Sequence, residues 1–139
     1  MKRLIATVTM ILCLSVLFTA GYAEPLEPLT SDLITISTTT LTAGSGGKVS
    51  ARATISTPQL SDKLGFSKIV IQEQTSGGWS AVKTVTGQYG FDRSRYIYTA
   101  TYTGISGKKY RAVTSFYAKA GTLVETISSK ASSNIVTAK

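Results

Sequence analysis

The sequence has no histidine and a single cysteine, Cys13. Ser-His-Asp and Cys-His catalysis are thereby excluded, as are zinc sites built from those ligands. Cys13 lies in an apolar run near the N-terminus, so the chain beyond it has no thiol and no disulfide to staple it. Acidic residues are also few, seven against 15 basic, giving a formal charge of +8. They are scattered, and Asn134 is the only asparagine, so the clustered oxygen ligands of a calcium site are missing. No metal and no cofactor are expected.

A glycosidase needs only two carboxylates about 5–9 Å apart, and the small acid count does not remove that class. No carboxylate sits in a distinctive motif, however. Two stretches satisfy S-x-x-K, Ser45 to Lys48 and Ser80 to Lys83. That nucleophile pattern belongs on a helix, and both matches lie in strand-type sequence. Thr42 to Val49 echoes a phosphate loop but has Thr42 and Val49 at the two ends where Gly and Ser or Thr are required. It is expected to be a hairpin turn, and the chain is expected not to be an enzyme.

The N-terminus has the three parts of a cleavable secretory signal. Lys2 and Arg3 precede an uncharged run from Leu4 to Phe18, and Ala20-Gly21-Tyr22-Ala23 supplies small residues before Glu24. The run is shorter than the roughly 20 residues that span a bilayer. Leu12 and Met10 before Cys13 do not make a lipidation site. The organisation expected is a helical signal peptide over 1–23, an extended lead-in over 24–32 and one domain over 33–139. The exported part carries 13 basic and seven acidic residues. Such a balance favours anionic partners through long-range attraction. The localisation expected is extracellular, at the cell wall, with no stable membrane insertion once the signal is removed.

From residue 33 onward the sequence is strand-like. Residues 24–139 hold 18 Thr and 16 Ser, types that suit a half-exposed sheet and disfavour helix. Period-2 runs are clear: Leu33–Leu41, Val49–Ser56, Ser67–Gln74, Trp79–Val85, Tyr96–Tyr102, Tyr110–Tyr117 and Leu123–Ser128. Pro58 ends the second, and Gln59–Phe66 is expected to be a loop. The tail from Lys130 is expected to pair weakly or fray. About seven strands joined by Gly-rich turns predict an all-β antiparallel sandwich of the immunoglobulin or fibronectin type III kind. Ile105-Ser106-Gly107-Lys108-Lys109-Tyr110 has the spacing of the tyrosine corner that opens the sixth strand of such domains, without its usual proline.

Three short motifs, Lys68-Ile69-Val70-Ile71-Gln72-Glu73-Gln74, Gly78-Trp79-Ser80-Ala81-Val82 and Gly107-Lys108-Lys109-Tyr110-Arg111, run through the domain. In these and in its signal and Ser/Thr-rich strands the chain resembles a secreted Gram-positive family of unknown function. The resemblance implies an exported compartment and a sandwich fold. It implies no activity and no site residues.

One constellation suggests binding. Six tyrosines lie between Tyr89 and Tyr117, interleaved with Arg93, Arg95, Lys108, Lys109 and Arg111. Aromatic faces beside cations bind sugars, bases or polyanions. Tyr96, Tyr98, Tyr102 and Tyr110 alternate with threonines and basic residues and are expected to be a core face. Arg93, Arg95, Lys108, Lys109, Arg111 and Tyr117 are the candidate binding residues, with Tyr89 beside them. The partner expected is an anionic cell-wall polymer or a glycan, with no specific nucleic acid. Two rivals carry different chemistry: a secreted antimicrobial or membrane-active effector, and a small hydrolase with a carboxylate pair. The effector is weakened by the lack of an amphipathic helix beyond the signal.

Overall fold

The computed structural model describes residues 33–139. The signal peptide and lead-in expected over 1–32 lie outside the described residues. What is described is all-β: β1 (Ile36–Ala43), β2 (Lys48–Thr75), β3 (Gly78–Thr103), β4 (Lys109–Ala120), β5 (Leu123–Ala131) and the short β6 (Val136–Thr137). All pairings are antiparallel, and the six strands form one curled sheet.

Two strands are much longer than the sequence pattern suggests. Val49–Ser56 and Ser67–Gln74 belong to one 28-residue strand, and Trp79–Val85 and Tyr96–Tyr102 to one 26-residue strand. The stretch expected to be a loop, Gln59–Phe66, lies within β2. The interruption at Pro58 is a bulge instead. Ladder pairs run from Ser56↔Arg95 to Ser61↔Arg93, so Thr57, Pro58, Gln59 and Leu60 face only Ser94. Proline has no N–H for a ladder, and a bulge asks for none. The polar groups turned inward there are satisfied: Ser61 Oγ donates to Thr57 Oγ1 at 3.0 Å, and Thr57 Oγ1 donates to the Gln59 carbonyl at 2.8 Å. On β3 the same bend is taken up by Asp92, at φ 49°.

The bulge decides what β2 pairs with. Before it, β2 runs between β1 and β3; after it, between β4 and β3. The inward faces of the two halves meet in one core. Val49, Ala51, Ala53 and Ile55 from the first half join Leu64, Phe66, Ile69 and Ile71 from the second, all fully buried. Tyr96, Tyr98 and Tyr102 oppose Ile55, Ala53 and Val49 and pack against that core as expected, large rings over small residues. Tyr102 reaches the ring of buried Tyr110, 5.9 Å between centroids, across the curl.

A buried hydrogen bond, Thr39 Oγ1 to Thr114 Oγ1 at 2.8 Å, joins β1 to β4 through the core. Removing one hydroxyl strands its partner, whereas removing both removes the demand. Thr114→Val is therefore expected to lower stability by about 1–2 kcal/mol. Thr39→Val with Thr114→Val should recover most of that loss in denaturant titrations. A double variant losing the sum of the single costs would mean that the pair is not coupled.

The C-terminal tail does not fray. Asn134 reaches β1 twice: its Oδ1 accepts from Leu41 N–H and its Nδ2 donates to the Leu41 carbonyl, each at 2.8 Å. The side-chain amide thus stands in for a strand partner. Val136–Thr137 pairs with Lys109–Tyr110, and Ala138 is buried against the 104–108 turn, accepting from Gly107 N–H and donating to the Lys108 carbonyl.

The turn before Tyr110 is closed by the hydroxyl of that residue. Tyr110 is fully buried, and its hydroxyl accepts from Ile105 N–H at 2.8 Å. It also donates to Glu73 Oε2 at 2.7 Å, tying the turn to the end of β2. A Cβ at Gly104 would come within 2.8 Å of that ring and hydroxyl, so this glycine is what lets the turn lie on Tyr110.

Candidate functional site

The second half of the sheet presents to solvent the residues alternating with the buried ones. On β4, Tyr110, Ala112, Thr114, Phe116 and Ala118 are buried. Lys109, Arg111, Val113, Ser115, Tyr117 and Lys119 therefore share the outer face. Register adds residues from the neighbouring strands, because directly opposed side chains lie on one face. Gln72 opposes Arg111, Lys68 opposes Ser115, Gly65 opposes Tyr117 and Lys63 opposes Lys119. From β3, Trp79 opposes Gln74, Tyr89 opposes Gly65 and Phe91 opposes Lys63.

Two aromatic–cation clusters stand on this face. At one end the Arg111 guanidinium lies 4.5 Å from the Trp79 ring centroid, and its Nε donates to Gln72 Oε1 at 2.7 Å. At the other end Lys63 Nζ lies 4.1 Å from the Tyr89 centroid and 5.5 Å from that of Tyr117. The two tyrosines belong to the strands on either side of β2, whose axes are about 9–10 Å apart. Their rings nevertheless meet edge to face at 5.7 Å. They lean together over Gly65, which opposes both and has no side chain between them.

Carboxylates are absent from these outer rows among the described residues. Glu73 opposes buried Tyr110 and accepts its hydroxyl proton, and Glu125 opposes buried Ala118 and accepts from Ile34 N–H. Asp62 accepts from Gly121 N–H at the β4–β5 turn, and Asp92 is in the bend of β3. The described residues bring no three His, Cys, Asp or Glu side chains together as a metal site. A shallow depression of about 190 Å³ lies on the other half of the sheet, lined by Lys48, Thr101, Tyr102 and Thr103.

The six candidate residues thus fall into two groups. Lys109, Arg111 and Tyr117 share the outer face of β4, with exposed Lys108 on the turn leading into it. Arg93 and Arg95 sit apart at the bulge, opposite Ser61 and Ser56. Arg93 folds back, its Nε donating to the Phe91 carbonyl and its guanidinium 5.6 Å from the Tyr96 ring. From Ser61 to Glu73 along β2 is roughly 40 Å of strand, so Arg93 and Arg95 stand far from Lys108, Lys109 and Arg111, with Tyr117, opposite Gly65, between them. Lys63, Lys68, Trp79 and Lys119 join this face without standing out in the sequence. Period 2 alone places Lys119 and Trp79 there, but Lys63 lies in a segment that reads as a loop. Comparison with protein-family models, curated proteins and solved structures finds no match.

Proposed function

We propose that this chain is a secreted, non-catalytic binding module of the cell envelope. In this reading it engages an anionic polymer or glycan through the outer face of β2, β3 and β4. The observation that carries the proposal is that face itself: five cations, two of them seated on aromatic rings, with every described carboxylate elsewhere. Export is supported by the charged, apolar and small segments ending at Ala23. Absence of catalysis is supported by the lack of His, by the lack of Cys beyond Cys13 and by hydrogen bonds that occupy Glu73 and Glu125.

The finer architecture proposed is an immunoglobulin- or fibronectin type III-like sandwich whose strands have fused in pairs. It is supported by the pairing pattern. Around the bulge, the first half of β2 runs between β1 and the end of β3, while the second half of β2 runs between the start of β3 and β4, with β5 beyond β4. That is seven segments in layers of three and four, with a tyrosine hydroxyl bonded to its own turn at the start of the sixth.

The test is retention of the purified protein on isolated cell walls, followed with and without added salt. A binding module is retained at low salt, released at high salt and leaves the wall intact, because exposed charges stop attracting as the Debye length falls from about 10 Å to about 3 Å. Release of soluble glycan fragments would establish the hydrolase instead. Growth inhibition or dye leakage without retention would establish the effector.

A further inference from the structure

The aromatic rings of the outer face are not bare platforms. Lys63 covers Tyr89, and Arg111 covers Trp79. A sugar stacking on either ring would first displace a cation held there by the ring's negative face. The rings instead fix the cations: Lys63 loses freedom between two tyrosines, and Arg111 is further held by Gln72 through one of its five donors. What such a surface presents outward is positioned positive charge.

The charges also lie in a row. Lys63 and Lys119 are directly opposed on neighbouring strands, Lys68 lies opposite Ser115, and Arg111 and Lys109 follow on β4. Lys119 and Ser115 are four positions apart on β4, and Ser115 and Arg111 are four positions apart. Positive charge therefore recurs about every 13 Å, over some 33 Å from Lys119 to Lys109. Like charges directly opposed on adjacent strands are destabilising, and an anion bound beside Lys63 and Lys119 would relieve that.

On the strength of the proposed binding face, we infer that its ligand is a linear polyanion lying along β4. Lys63 and Lys119 hold one end of the bound segment, Lys68 its middle, and Arg111 and Lys109 the other. Trp79, Tyr89 and Tyr117 seat cations and do not stack on the ligand. Phe91, on the same face, 60% exposed and outside the row, takes no part.

Trp79 is the only tryptophan, and its emission reports on Arg111. The experiment titrates the purified protein with inorganic polyphosphate about 100 units long, orthophosphate, neutral dextran and oligothymidylate, followed by Trp79 fluorescence and equilibrium dialysis. Polyphosphate should bind and shift the emission, while orthophosphate and dextran should not bind. Five contacts predict a log–log salt slope near −3.5, or about a 100-fold loss of affinity between 50 and 200 mM salt. Lys63→Gln, Lys119→Gln and Arg111→Gln should each flatten that slope by about 0.7, and Phe91→Ser should leave it unchanged. Salt-independent binding of dextran, lost in Phe91→Ser, would overturn the polyanion while leaving a glycan-binding face intact. Binding of oligothymidylate that is tighter than that of polyphosphate and persists at high salt would overturn it in favour of base stacking. Polyphosphate binding untouched by the three glutamine variants would overturn the row as its site, and failure of every probe alongside failure of wall retention would overturn the face altogether.

Discussion

Gly65→Ala is expected to be the most damaging single-methyl change in the domain, costing about 3 kcal/mol or more. A Cβ at this position would lie 2.1 Å from the Gln88 carbonyl oxygen and 2.8 Å from the Tyr89 Cα. Both are backbone atoms of the adjacent strand, so no rotamer change relieves the contact. β3 has to move away from β2 at the pair Gly65↔Tyr89, in the centre of the second half of the sheet. For a domain of this size the corresponding fall in Tm is at least 10 °C. Gly77 is the internal control, because nothing lies within 4 Å of its Cβ position and its backbone is not in the left-handed region. Thermal unfolding of Gly65→Ala beside Gly77→Ala checks the argument. Equal melting temperatures would mean that the strands are not in close approach at Gly65.

The second large effect belongs to Tyr110→Phe. The substitution keeps the ring and removes one hydroxyl that serves two partners, Ile105 N–H and Glu73 Oε2. Hydrogen bonds involving a charged group contribute more than neutral ones, and a loss of about 2 kcal/mol follows. The hydroxyl also makes the domain alkali-sensitive. Burial pushes the Tyr110 pKa above the ordinary tyrosine value of about 10, and the Glu73 carboxylate accepting its proton adds to the rise; the Ile105 N–H works against both. A group that holds its proton more tightly when folded stabilises the fold below its unfolded pKa. That contribution is lost as pH rises through the folded value. Wild-type protein should therefore lose stability faster than Tyr110→Phe above about pH 10, and the two should converge. A gap between them that stays constant into alkaline solution would contradict the buried hydrogen-bonded hydroxyl.

Tyr110 was legible in the sequence because a corner is a local pattern: a glycine, two polar residues and a tyrosine at fixed spacing before a period-2 run. The alternation of Val49, Ala51, Ala53 and Ile55 was legible for the same reason, and all four are buried. The continuity of β2 was not. Pro58, Asp62 and Gly65 are individually loop-forming, and only partners far along the chain keep that stretch extended: Arg93, Tyr89 and Tyr117 in the ladder, and Gly121 bonded to Asp62. Asn134 gave no signal either, since an asparagine acting as a strand partner to Leu41 across 93 residues leaves no local trace. The candidate face was half legible. Period 2 puts Arg111 and Tyr117 on one side of β4, but the contacts Lys63–Tyr89 and Arg111–Trp79 depend on cross-strand register, which pattern alone does not fix.

The proposed binding resides on one face and does not follow from net charge. It is tested by two double charge reversals that change the formal charge equally. Lys68→Glu with Lys109→Glu alters the outer face of β2 and β4, whereas Lys48→Glu with Arg52→Glu alters the opposite half of the sheet. Retention on isolated cell walls at low salt should be lost in the first protein and kept in the second. Equal loss in both would mean that the positive charge acts only in bulk, and would contradict a localised site.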